Sequence, residues 1–219
     1  MTTLTKNTDL LKQEVHEHIT ADSVVQGNYW SDGKGCFIGC LTHSNDSTPA
    51  VERFGLTESI LRIAEHIFES LPLEEAKQFF YDFPDAVATD GKDLSLIHWA
   101  FLGETLRNLP PQRLEIQAVI DPVIDGMDLL ASGNVWEKNA WAAAGAAARA
   151  AWAAWDAARD AARAAWAAWD AARDAAGAAW AAWDAARDAA GAAARAAETR
   201  RQRESLLRLI REAPVVTPS

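Results

Sequence analysis

The sequence predicts an all-α protein: a compact multi-helix head followed by a long Ala/Trp-repeat helix, a coiled-coil-like stalk. Three observations carry this. No segment alternates polar and apolar residues over strand length. Apolar residues recur at three- and four-residue spacing through the first 131 residues. Beyond residue 140 the chain becomes a repeat built on alanine. The expected division is a helical head over 1–135, a repeat helix over 136–212 and a flexible tail over 213–219.

Within the head, Leu11, Val15 and Ile19 stand four apart and predict a helix over 8–24. Residues 25–50 are rich in Gly, Ser and Asn and read as loop, with a short helix opening near Cys36. Thr57 is placed to cap a helix carrying Ile60, Leu61, Ile63, Ala64, Ile67 and Phe68, which Pro72 ends. A shorter helix over 73–81 carries Phe79 and Phe80 and is expected to stop near Pro84. Asp93 or Ser95 is expected to cap a helix with Leu96, Trp99, Ala100, Phe101 and Leu106. Pro110 and Pro111 separate it from a last head helix over 113–131, ending near Gly133.

In the repeat, near copies of a 14-residue unit start at Trp152, Trp166 and Trp180. Alanine is the strongest helix former, and no proline occurs from 124 to 213, so helix is predicted over 136–212. Three of the seven heptad positions are alanine in every copy: Ala154, Ala157, Ala158, Ala161, Ala164, Ala165 and Ala168 form one contiguous arc. Leu206, Leu207 and Ile210 continue it in phase. A face of methyl groups on a lone helix has nothing to cover it, so these ten residues are the expected interface of a homo-oligomer. The tryptophans, with Arg159, Arg173 and Arg187 four residues after Trp155, Trp169 and Trp183, occupy the other side.

The formal charge is -10, from 21 basic and 31 acidic residues, and 10 basic against 22 acidic side chains lie in residues 1–140. That balance excludes general binding to a nucleic-acid backbone. No run of about 18 apolar residues is available for a membrane span. The N-terminus has no signal-peptide pattern and two cysteines make no disulfide scaffold, so a cytoplasmic setting is expected.

Residues 27–46, GNYWSDGKGCFIGCLTHSND, hold the densest set of chemically capable side chains. Cys36, Cys40 and His43 stand at i, i+4 and i+7, one face if the segment is helical. That set offers thiolate and imidazole to zinc, with a fourth ligand from His16, His18, His66 or His98. It also offers a thiol nucleophile, Cys36, with His43 or His98 as base and Asp32 or Asp46 orienting it. As a pocket, Tyr29, Trp30, Lys34, Cys36 and His43 would contact a small ligand or peptide. As structure, Cys36, Phe37, Ile38, Cys40 and Leu41 simply bury a short helix.

The pairing of a GNYW–SDGKGC–FIGC–LTHS head with an alanine-rich repeat closed by RRQRESLLRLI resembles a family of phage-, prophage- and bacterially encoded proteins with a G-x-YW…GKGC-x-x-GC-x-x-H head and Ala/Trp/Ser-rich tails. The resemblance covers most of the chain and implies a mobile-element setting; it transfers no catalytic residues. The function expected on these grounds is a non-enzymatic, oligomeric interaction protein acting on a host defence factor or its nucleotide signal. The alternatives are a cysteine-dependent hydrolase or transferase centred on Cys36, and a structural protein of a filament or particle. The cofactor is open, with zinc the one ion the residues suggest.

Overall fold

The structure, a computed structural model, describes residues 4–109, 114–135 and 177–216, with isolated positions 137, 139, 140, 142, 143 and 146. Among these the protein is helical apart from one two-stranded hairpin. In chain order the elements are α1 (Thr8–Thr20), β1 (Trp30–Ser31), β2 (Lys34–Gly35), α2 (Phe37–Thr42), α3 (Thr48–Phe54) and α4 (Glu58–Ser70). There follow α5 (Leu73–Val87), α6 (Ile97–Arg107), α7 (Leu114–Ala131) and α8 (Gly177–Glu212). No helix among the described residues is long and apolar enough to cross a membrane.

The caps and breakers behave as local chemistry requires. Thr57 Oγ1 accepts from the Ile60 N–H at 3.4 Å, as expected of an N-cap. Asp93 instead accepts from the Ser95 N–H at 2.9 Å and shapes the turn before α6, which starts at Ile97 without a side-chain cap. Pro84 does not stop α5. The helix runs on to Val87 because Phe83, Ala86 and Val87 are all buried, which outweighs the missing N–H. It ends at Ala88, which turns to φ 61.

Residues 25–50, expected as loop, are the main local difference. Asp32 and Gly33 both take positive φ, 53 and 77, and form the two-residue loop of a hairpin pairing Trp30 with Gly35 and Ser31 with Lys34. Asp-Gly is the dipeptide such a turn needs, and that signal is present in the sequence. Two-residue strands are too short to show alternation. α2 begins directly after β2, and α3 follows it behind Ser47.

The core is centred on phenylalanine. The Phe37 ring lies 5.6, 5.1 and 5.0 Å from those of Phe79, Phe80 and Phe83, and 6.1 Å from that of Phe68. Most of these pairs meet edge to face, the arrangement ring quadrupoles favour. The first residue of α2 is thereby fixed to α4 and α5, which sets the position of everything around Cys36.

The C-terminal end corrects the expected architecture. Leu206, Leu207, Ile210 and Ala213 are buried in the same core as the head's Leu61, Phe80 and Leu94. The apolar stripe on α8 is therefore covered by α4, α5 and α6 of its own chain and not by a partner. Arg200 pairs with Glu75 at 2.7 Å, and Arg208 with Glu104. The segment expected as a flexible tail is also held, at least to Val216: Asp93 N–H donates to Pro214 O at 2.9 Å and Val216 N–H to Gly91 O at 2.8 Å. The end of the repeat helix thus belongs to the head. The other predicted interface residues, Ala154, Ala157, Ala158, Ala161, Ala164, Ala165 and Ala168, lie outside the described residues, as do Trp152, Trp155, Trp166 and Trp169.

Candidate functional site

Two glycines bring the hairpin onto α2. Cβ atoms at Gly35 and Gly39 would collide with the Tyr29 carbonyl oxygen, and one at Gly35 would also sit 2.7 Å from Trp30 Cε3. The GKGC-x-x-GC spacing is thus a close-approach motif, in which bare Cα atoms let the Tyr29 backbone, just before β1, lie on the helix. The Cys36 N–H donates to Asn28 O at 2.9 Å and closes the contact.

This geometry separates the three residues that i, i+4, i+7 spacing placed on one face. α2 is only six residues long. Cys36 precedes it with extended backbone, and His43 follows it in the left-handed region at φ 54. The helical spacing rule does not reach either residue, and their side chains leave in different directions. Cys40 Sγ faces Gly35 O at 3.2 Å. His43 stacks on Trp30, with centroids 4.1 Å apart and planes at 19°. Cys36 Sγ lies 2.7 Å from Glu65 Oε1. Cys36, Cys40 and His43 therefore do not form a metal site together.

Nor is Cys36 a tuned nucleophile. Burial, reinforced by the hydrogen bond to Glu65, pushes its thiol up to about 12, and burial does the same for Cys40. Its hydrogen-bond partner is a carboxylate and not a histidine. His98 lies on α6 with its ring 4.3 Å from that of Trp99, and burial lowers its pKa. At pH 8 a thiol with a pKa near 12 is thiolate about a thousandfold less often than one at the ordinary 9.0. Iodoacetamide at pH 8 is accordingly expected to modify both cysteines at least about a thousandfold more slowly than a free thiol, with urea restoring the rate. Rapid alkylation of Cys36 in the folded protein would contradict this environment.

The expected ligand residues divide between two cavities. Trp30, Lys34 and His43 line a cleft of about 690 Å³ between α1, the hairpin and α2, together with His18, Glu14, Glu17, Asp32 and Arg53. Tyr29 and Cys36 line a second cavity of about 440 Å³ with Arg62, Glu65, His66 and Glu69. In the first, His18 meets Trp30 and His43 edge-on, each at 5.6 Å, so three rings form one wall. His18 Nδ1 lies 3.1 Å from Ser23 Oγ. Burial, and secondarily the neighbouring His43, lowers the His18 pKa and so favours the neutral ring. Arg53 is held by Glu14 and donates to Leu41 O at 3.3 Å. Lys34 is exposed at the mouth.

His18, expected only as a possible fourth metal ligand, was absent from the expected pocket set because it lies on α1, distant in sequence from the glycine-rich segment. Glu65 left a clearer trace. It falls between Leu61 and Phe68 on the buried face of α4 and is only 9% exposed. A charged residue on an apolar helix face is the informative exception in a burial pattern. Its carboxylate accepts from the Ile38 N–H at 2.9 Å as well as from Cys36, capping α2 from another helix.

Comparison with family models, curated proteins and solved structures found no match to this chain.

Proposed function

We propose that this is a non-enzymatic binding protein whose head takes a small anionic ligand in the cleft of His18, Trp30, Lys34 and His43. The alanine-faced repeat joins copies of the chain as a coiled-coil element. In the phage-related setting that the sequence resemblance implies, a nucleotide signal is the ligand class that best suits this wall. The supporting observation is the juxtaposition of three aromatic rings with two cationic side chains around one cleft. Lys34 offers charge to a phosphate beside the Arg53–Glu14 pair, the rings offer apolar area, and Glu17 and Asp32 accept from hydroxyl and amino groups. Most small-molecule sites combine such a wall with a few polar groups. The Cys36 enzyme reading is disfavoured by the protonated, carboxylate-bound thiol.

Calorimetric titration of the full chain with linear, cyclic and cyclic di-nucleotides tests the reading. Binding of one ligand per head is expected, weakened at least about tenfold in Lys34→Ala and in Trp30→Ala, a loss of about 1.4 kcal/mol each. Arg62→Ala, on the other cavity, is expected to bind normally. Absence of binding across the panel, or binding indifferent to both cleft variants, would overturn the assignment.

A further inference from the structure

We propose that Cys36, Glu65 and Glu69 form a binding site for one divalent cation of the zinc class, in a cavity separate from the cleft of His18 and Trp30. The Cys36 sulfur and one carboxylate oxygen from each glutamate lie within 4.8 Å of one another. Ligands held at about 2.0–2.3 Å around tetrahedral zinc stand roughly 3–4 Å apart, close to the spacing of this set.

The three groups come from two elements that the core holds against each other. Cys36 precedes Phe37, which is locked into the phenylalanine cluster, while Glu65 and Glu69 project one turn apart from α4. Each carboxylate is already oriented by a backbone N–H. Ile38 N–H donates to Glu65 Oε2, and Gly27 N–H donates to Glu69 Oε2, both at 2.9 Å. Metal sites use outer hydrogen bonds of this kind to aim their ligands. The cavity of about 440 Å³ opens over the group, and His66 lies on the same wall. Arg62, which also lines it, pairs with Glu58 at 3.7 Å.

The donor set selects the ion. One sulfur with two carboxylates is too soft for magnesium or calcium and suits zinc, cobalt or ferrous iron. Without an ion, burial holds the Cys36 thiol protonated and raises the Glu69 pKa. On binding, the S–H bond gives way to a metal–sulfur bond and its proton goes to solvent, so uptake releases protons and strengthens as pH rises. Three protein ligands leave the fourth position facing the cavity, as in zinc sites that hold an exchangeable water.

Cobalt(II) titration of chelator-treated full-length protein tests the site, because a cobalt–thiolate bond has its own near-ultraviolet charge-transfer absorption. One equivalent is expected to develop that absorption, and zinc to abolish it stoichiometrically. Cys36→Ser is expected to lose the band. Glu69→Gln, at an exposed position where folding is secure, is expected to weaken cobalt binding about tenfold or more. Cys40→Ser is expected to retain it. Absence of the band at millimolar cobalt, or a band that survives Cys36→Ser, would overturn the proposal. So would cobalt affinity unchanged by Glu69→Gln. Nucleotide binding at the other cleft is read separately and stands or falls on its own.

Discussion

Gly39→Ala is expected to destabilise the head by at least about 3 kcal/mol, the upper range for forcing atoms into a packed interior. The added methyl would occupy the position of the Tyr29 carbonyl oxygen, with Tyr29 Cα a further 3.1 Å contact. Both are backbone atoms of a segment that cannot rotate away, since Trp30 is paired to Gly35 and the Cys36 N–H is bonded to Asn28 O. The hairpin must lift off α2, taking Trp30 from His43 and opening the cleft. Urea unfolding measures the loss. Gly33→Asn is the matched control: Gly33 has positive φ but nothing within 4 Å of an added Cβ, and asparagine tolerates that backbone, so a change below about 1 kcal/mol is expected. Equal losses at the two positions would mean that backbone freedom, and not close approach, explains the spacing of glycines within this one motif.

The glycines show how far the sequence could be read. Helix-forming periodicity was legible wherever one face of a helix is buried: Leu11 and Val15 in α1, and Ile60, Leu61, Ala64, Ile67 and Phe68 in α4, are all buried. Periodicity reports that a face is covered and says nothing of what covers it. Leu206, Leu207 and Ile210 were correctly recognised as a packed stripe, but their partner is the head of the same chain, a long-range relation that local spacing does not encode. The same limit explains the site. Trp30, Lys34 and His43 were identified from one glycine-rich segment, whereas His18 joins them only through the packing of α1, and Glu65 and Glu69 join Tyr29 and Cys36 only through the packing of α4. The spacing of Cys36, Cys40 and His43 misled for a different reason. It assumed a helix of two turns, while α2 stops at Thr42 and His43 turns left-handed.

Lys92→Met is expected to cost about 3 kcal/mol and to loosen α8 selectively. Lys92 is 5% exposed, and none of its hydrogen-bond partners is a carboxylate. Its ammonium donates instead to Ala86 O at 3.2 Å, Ile210 O at 3.0 Å and Arg211 O at 2.9 Å. All three carbonyls belong to final helical turns, of α5 and α8, whose last C=O groups have no intrahelical partner and carry the negative end of the helix dipole. A single cation with three N–H groups thus satisfies two converging helix ends. Burial and the nearby Arg211 lower its pKa, a penalty the carbonyls must outweigh. Methionine fills a similar volume without any donor, leaving those acceptors buried and unpaired at about 1–3 kcal/mol each before relaxation. The main-chain bonds that Thr5 and Pro214 make around residue 92 remain, so the N-terminal segment is expected to hold. The loss should therefore appear as faster amide exchange over residues 198–213 and as tryptic cleavage near Arg200 and Arg203, ahead of global unfolding. Should exchange instead rise evenly across α4, α5 and α8, docking of the last helix would be inseparable from folding of the head. A stability change within about 0.5 kcal/mol would mean that Lys92 does not hold the two helix ends together.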